Sequence, residues 1–293
     1  MTTDTTTPSV AVLGTGTMGA PMARNIAAAG MPTAAWNRTP EKAAPLRDDG
    51  VEVHDDIAGA VAGRDIVITM LADADAVLSV AAEMLPAMED GAVWAQMSTI
   101  GIDGTERCAA IAADRGVAFV DAPVLGTRQP AEQGTLLVLA SGPHDALARC
   151  EPVFDAVGQR TMRVGDAGAG TRLKLAVNAW LLSAMEGIAE TLALAEGLGL
   201  DPSLPLEAIK GGPLDMPYAH LKGALIARRE FPPSFALKLA AKDARLVTEA
   251  AARHGLDLPL ERTVAERMGQ AVEAGYGDED MAAVWRLCGI ANG

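Results

Sequence analysis

The chain has 293 residues, 49% of them hydrophobic and 21% charged, with a formal net charge of −14. That balance excludes a disordered chain and leaves room for two domains or one large one. So acidic a surface, with no run of Lys or Arg to break it, argues against nucleic acid as a partner. Aromatic residues are only 3% of the chain, which suits closely packed helices better than an aromatic-rich β-sandwich. Cys108, Cys150 and Cys288 are odd in number and far apart, as expected of buried thiols rather than a disulfide framework. The Thr-rich start, Met1 to Pro8, lacks the basic and apolar stretches of a signal peptide. Lys174 and Asn178 interrupt the longest apolar run short of a membrane span. The expectation is a cytoplasmic protein with no membrane partner.

In chain order, an apolar run at 10–13 is followed by Gly14-Thr15-Gly16-Thr17-Met18-Gly19, then by helical spacing that Gly30 closes, then by a second strand at 33–36. This is a βαβ unit. Short strands are predicted again at 65–71, 92–96, 117–120 and 135–140, mostly with helical stretches between them. Alternation of that kind predicts a doubly wound, mostly parallel Rossmann sheet. Beyond Gly165 strand signals stop. Residues 173–198 carry a long helical pattern without proline, apolar around the whole cylinder, which predicts burial on every side. Further helices are predicted at 206–210, 218–228, 235–254, 260–274 and 281–288. The fold expected is α/β: a Rossmann domain over 1–164, then an all-helical domain over 165–293 entered by the long helix.

Gly14, Gly16 and Gly19 leave a strand and open a helix, the context in which G-x-G-x-x-G holds a dinucleotide pyrophosphate. The second strand ends in Trp36-Asn37-Arg38-Thr39. An NAD site places a carboxylate there for the ribose hydroxyls. Asn37 is neutral, while Arg38 and Thr39 can hold a 2′-phosphate, so NADP is the cofactor expected. The loop from Asp121 through Leu125, Gly126 and Thr127 follows a strand where such sheets bind ligands. Gly168 and Gly170 then open the long helix, on which Lys174 and Asn178 lie four residues apart on one face. A lysine there needs a partner or a wet cleft, or else it snorkels to the surface.

Five motifs in this order resemble the β-hydroxyacid dehydrogenase family, which includes 3-hydroxyisobutyrate dehydrogenases and belongs with 6-phosphogluconate dehydrogenases. The resemblance runs from about Val10 to Met281. It lies in the glycine signature up to Ile26, Met70-Leu71 with Ser98-Thr99, Asp121-Ala122-Pro123-Val124, Gly168 to Lys174 with Asn178, and Phe235 with Lys242-Asp243. The resemblance implies a small-molecule substrate and interconversion of a small β-hydroxy acid with its semialdehyde. It implies Lys174 as general acid/base, at a pKa that partial burial would bring toward working pH. Asn178 would hold the reacting oxygen, Leu125, Gly126 and Thr127 would line the substrate, and Met70, Leu71, Thr99 and Lys242 would lie at the cofactor.

The sequence departs from that family in three places. Leu125-Gly126-Thr127 stands where relatives have Ser-Gly-Gly, and losing one donor to a charged acceptor costs about 1.5–3 kcal/mol. Val177 replaces a common Asn, and Gln96 a common Asp. Imine reductases are a related branch and the enzymatic alternative. They usually replace the lysine and lack the Asp-Ala-Pro-Val loop, although Leu125 and Val177 share their apolar character. An alternative of another class is a non-catalytic NADP-binding sensor or scaffold, whose mark would be loss of the lysine. Tyr218-x-x-x-Lys222 spells the catalytic pair of short-chain dehydrogenases but falls outside the Rossmann region, and is read as helix surface. The four histidines are scattered, and no metal is expected. Asp73, Asp75 and the run Asp278-Glu279-Asp280 read as solvated turns or helix N-termini. A long apolar helix in a modest domain points to a homodimer.

Overall fold

The computed structural model describes residues 7–289; the Thr-rich residues 1–6, and 290–293, lie outside the described residues. The chain forms two compact units, the first ending at Lys174 and the second beginning at Leu175.

The first unit contains β1 (Val10–Leu13), β2 (Thr33–Trp36), β3 (Glu52–Val53), β4 (Ile66–Thr69), β5 (Val93–Gln96), β6 (Ala118–Asp121), β7 (Val124–Leu125), β8 (Leu136–Ser141) and β9 (Gly158–Gly165). Its helices are α1 (Gly19–Ala28), α2 (Pro40–Ala43), α3 (Ile57–Val61), α4 (Ala74–Met84), α5 (Gly101–Asp114), α6 (Arg128–Glu132) and α7 (His144–Val157), followed by the start of α8 (Ala169–Gly197). The strand order is β3-β2-β1-β4-β5-β6-β8-β7, with β9 paired to β8. Strands β1 to β6 pair in parallel, β8 runs antiparallel to β6 and β7, and β9 is parallel to β8. Val10 and Val12 of β1 enter one core cluster and Ala11 and Leu13 another. Both faces of the sheet are thus covered, which is why its central strands read as unbroken apolar runs. After β3 the chain returns to the other side of β1, and this reversal opens the ligand crevice at the carboxyl ends of β1 and β4.

Three strands escape the sequence reading. Strands β3 and β7 have two residues each, too few for a period to show. Strand β9 carries Arg160, Thr161 and Arg163 and is mostly exposed, so it lacks the apolar alternation of a half-buried strand.

The second unit holds the rest of α8, then α9 (Leu204–Ile209), α10 (Pro217–Arg228), α11 (Leu237–Arg253), α12 (Pro259–Ala271) and a 3₁₀ helix, Met281–Cys288. Leu182, Met185, Ala189 and Leu192 of α8 enter its core. The expected burial of the long helix on every side is not met: on α8 Trp180 is 68% exposed and Leu194 64%, and Leu198, just past its end, is 68% exposed. These three share one stripe by helical spacing. The helix is apolar all round because it has two apolar faces, of which this chain covers one. No helix among the described residues is long and apolar enough to cross a membrane.

Candidate active site

The glycine loop leaves β1 at the switch point. Gly14 has φ +101°, and a Cβ on it would lie 2.4 Å from the Met70 carbonyl oxygen and 2.7 Å from Leu71 Cδ2. On Gly19 a Cβ would lie 1.9 Å from the Gly14 carbonyl oxygen, whereas Gly16 has nothing within 4 Å. The outer two glycines therefore let the turn close on itself and on the end of β4. Gly16, exposed with Thr17, leaves open backbone that a pyrophosphate can approach. Met18 is half-buried and precedes α1, whose N-terminus favours negative charge. These residues fit a nicotinamide dinucleotide.

Asn37 latches this loop. Its Oδ1 accepts from the Thr15 amide at 3.0 Å, and its Nδ2 donates to the Thr39 carbonyl at 3.0 Å. The side chain is thus engaged with backbone at both ends. Arg38 and Thr39 are exposed beside it. A second latch, missed in the sequence, joins the loops after β4 and β5. Ser98 Oγ accepts from the Leu71 amide at 2.8 Å and donates to the Thr69 carbonyl at 3.2 Å. Gln96, buried where relatives often have Asp, accepts from the Ser98 amide at 2.7 Å and donates to the Ser98 carbonyl at 2.8 Å. This two-way pairing holds the turn that presents Ser98 and Thr99. Met70, Leu71 and Thr99 are half-buried around it.

The loop expected to line the substrate begins at Asp121, which is wholly buried. Its Oδ2 accepts from the Thr171 amide at 2.8 Å and its Oδ1 from the Thr171 hydroxyl at 2.7 Å. Ser141 Oγ lies 3.1 Å from the same carboxylate and accepts from the Gly170 amide at 2.9 Å. Burial pushes the Asp121 carboxyl above its ordinary value, against the pull of the Thr171 and Ser141 hydrogen bonds. Leu125 is half-buried on β7, followed by exposed Gly126 with φ +128° and half-buried Thr127. Arg128 pairs with Glu132 at 2.8 Å on the surface of α6. Lys174, 8% exposed, lies three residues beyond Thr171 on α8.

In the second unit Asn178 is wholly buried, and its Nδ2 donates to Asp243 Oδ2 at 2.8 Å. Lys242 Nζ lies 2.9 Å from Asp243 Oδ1. Asn178 Oδ1 is buried with no hydrogen-bond partner. An orphaned buried carbonyl is costly, so this acceptor is poised for a donor. Asp243 was legible only as a motif neighbour of Lys242; nothing in the spacing showed that it orients Asn178.

The reading of Lys222 as helix surface is overturned, and Tyr218 is half-buried. Lys222 is 1% exposed and its Nζ lies 2.6 Å from Asp280 Oδ1. Asp280 is likewise no solvated turn: it is buried and also accepts from Ser234 and from the amides of Phe235 and Ala282. Asp73 does cap α4, accepting from the Ala76 amide at 2.8 Å. Burial pushes the Cys108 and Cys150 thiols up to about 12, which makes them inert. Among the described residues no group of three or more His, Cys, Asp or Glu could hold a metal ion.

A dinucleotide loop at the switch point of a doubly wound sheet, followed by a helical unit with a buried polar helix face, defines a nicotinamide-dependent oxidoreductase. The family model for the NAD binding domain of 6-phosphogluconate dehydrogenase matches residues 9–165. That for the NAD-binding region of NADP-dependent 3-hydroxyisobutyrate dehydrogenase matches 168–288. Glyoxylate/succinic semialdehyde reductase 2 of Arabidopsis thaliana is 32% identical, over 95% of this chain and 78% of its own. The structure of Mycobacterium tuberculosis 3-hydroxyisobutyrate dehydrogenase with L-serine superposes with a TM-score of 0.88 at 30% identity, covering 97% of this chain and 100% of that one. An imine reductase from a Pseudomonas species shares the fold at a TM-score of 0.64 and 23% identity, over 96% of this chain and 99% of that one. The chain belongs to the β-hydroxyacid dehydrogenase family and is an oxidoreductase acting on CH–OH groups.

Proposed function

We propose that the protein is an NADP-dependent dehydrogenase that interconverts a small β-hydroxy acid and its semialdehyde, with Lys174 as general acid/base. The observation that carries this reading is the pair on α8: a buried lysine followed, one turn on, by a buried asparagine whose carbonyl oxygen has no partner. NADP, when bound, would supply or accept the hydride. In oxidation Lys174 Nζ takes the hydroxyl proton as the carbonyl forms, and in reduction it returns that proton to the developing alkoxide. Asp243 engages the Asn178 Nδ2 and leaves the buried Oδ1 as an acceptor, suited to the substrate hydroxyl or to the protonated lysine. Gly14, Gly16, Thr17, Met18 and Gly19 would cradle the pyrophosphate. Arg38 and Thr39 would hold the 2′-phosphate, Asn37 acting as their backbone support. Met70, Leu71, Thr99 and Lys242 would border the nicotinamide half. Leu125, Gly126 and Thr127 would line the substrate, and half-buried Leu125 favours a less polar acid than the usual serine would.

The exposed stripe of Trp180, Leu194 and Leu198 supports a homodimer joined through α8. Sedimentation at assay concentration should show a dimer that Trp180→Glu shifts toward monomer, whereas an active wild-type monomer would contradict it.

The test of function follows NADPH and NADH at 340 nm against semialdehyde acids, neutral aldehydes and cyclic imines. Semialdehyde acids should turn over with NADPH. Arg38→Ala should raise the KM for NADPH about tenfold or more with little effect on NADH, as expected for losing a charge-assisted hydrogen bond. Lys174→Ala should abolish turnover. Turnover confined to imines would replace the acid reading with the imine-reductase one.

A further inference from the structure

Asp121 opens the substrate loop, yet its carboxylate points away from loop chemistry and into the start of α8. Every hydroxyl around it is oriented by its neighbours. Thr105 on α5 lies 3.1 Å from Thr171 Oγ1. The Thr171 hydroxyl is committed to Asp121, so Thr105 must donate to Thr171. The amides of Gly170 and Thr171 are two of the four donors that a helix N-terminus leaves without internal partners. Here they go to Ser141 Oγ and Asp121 Oδ2. A carboxylate at that end also complements the helix dipole. Packing enforces the same placement. A Cβ on Gly170 would lie 2.3 Å from the Leu139 carbonyl oxygen and 3.0 Å from that of Asp121, so the first turn of α8 rests directly on the backbone of β6 and β8.

We propose that Asp121, acting with Thr171 and Ser141, is a positioning residue for Lys174. The buried cap sets the start and rotation of α8, and thereby where the lysine ammonium stands. Lys174 follows Thr171 by three residues, an axial rise of about 4.5 Å, too short for a displaced first turn to be absorbed before the lysine is reached. The same cap ties the substrate loop, which begins at Asp121, to the helix that carries the acid/base. Thr105 extends the tie to α5, the helix that follows the Ser98-Thr99 loop. One buried cluster thus joins β6, β8, α5 and the first turn of α8. This inference rests on the reading of Lys174 as general acid/base.

The test compares Thr171→Val, Thr171→Ser and Asp121→Ala in the full chain, with Lys174→Ala as reference. Each is measured for kcat of semialdehyde reduction, for KM and for NADPH affinity by fluorescence titration. A misplacement of about 1 Å at a reacting group costs roughly a hundredfold in rate. Thr171→Val, which keeps shape and loses the hydroxyl, should lower kcat about tenfold, and Asp121→Ala up to about a hundredfold. NADPH affinity should stay within about twofold in both, and Thr171→Ser should recover most of the rate. Where Asp121→Ala fails to fold, the Thr171 pair decides. A Thr171→Val enzyme with wild-type kcat, or one whose NADPH affinity falls in step with kcat, would overturn the positioning role. If Lys174→Ala itself keeps its turnover, the acid/base reading fails and takes the inference with it.

Discussion

Two buried aspartates, one in each unit, organise helix starts by different means. Asp121 in the first unit takes its hydrogen bonds from hydroxyls and a peptide N–H, those of Thr171 and Ser141. Asp280 in the second unit takes a full cation, Lys222 Nζ at 2.6 Å, together with Ser234 and the amides of Phe235 and Ala282. Burial raises the carboxyl in both. At Asp121 burial wins, whereas at Asp280 the charge and hydrogen bond of Lys222 and the nearby amides outweigh it and hold the group below its ordinary value. The difference matches the work each region does. Asp121 caps the first turn of α8, while Asp280 ties α10, the Ser234-Phe235 segment before α11 and the terminal 3₁₀ helix into one piece.

The largest expected effect breaks the ion pair. Lys222→Met strands a buried carboxylate and should cost about 3–5 kcal/mol in urea unfolding, and Asp280→Asn added to it should recover part of that loss. An effect below about 1 kcal/mol would show that the pair is no clasp. Acid titration of stability should show a smaller effect and give the two aspartates opposite signs. Asp280 contributes stability that is complete above the ordinary value of 3.8 and is lost as pH falls through its lower folded value. Asp121, raised above 3.8, does the reverse: its burial penalty is relieved as pH falls from neutral through its folded value. Asp280→Asn should therefore flatten the acid limb below about pH 4, and Asp121→Asn should remove a gain at milder pH. Identical profiles for the two variants would erase the distinction.

The sequence was most informative where backbone geometry does the work. Gly14 and Gly19 announce the cofactor loop because only glycine survives their contacts, while Gly16 leaves backbone open, and the central strands show because both faces of the sheet are covered. It was less informative where function rests on side chains meeting across distant segments. Nothing in the spacing links Asp121 to Thr171, Asn178 to Asp243 or Lys222 to Asp280, pairs separated by 50, 65 and 58 residues. Lys222 was misread because an isolated lysine on a helix belongs in water unless its partner is visible. The polar edge strand β9 was invisible because most of its side chains stay exposed.

The measurement that reaches the central claim most directly is chemical rescue of Lys174→Ala by small primary amines, with NADPH consumption followed against a semialdehyde acid. If Lys174 moves the proton, added methylamine or ethylamine should restore turnover in proportion to its protonated concentration, while equal concentrations of tetramethylammonium do nothing. A variant that stays folded and binds NADPH yet shows no rescue by any amine, or one that retains wild-type turnover without them, would contradict Lys174 as the acid/base.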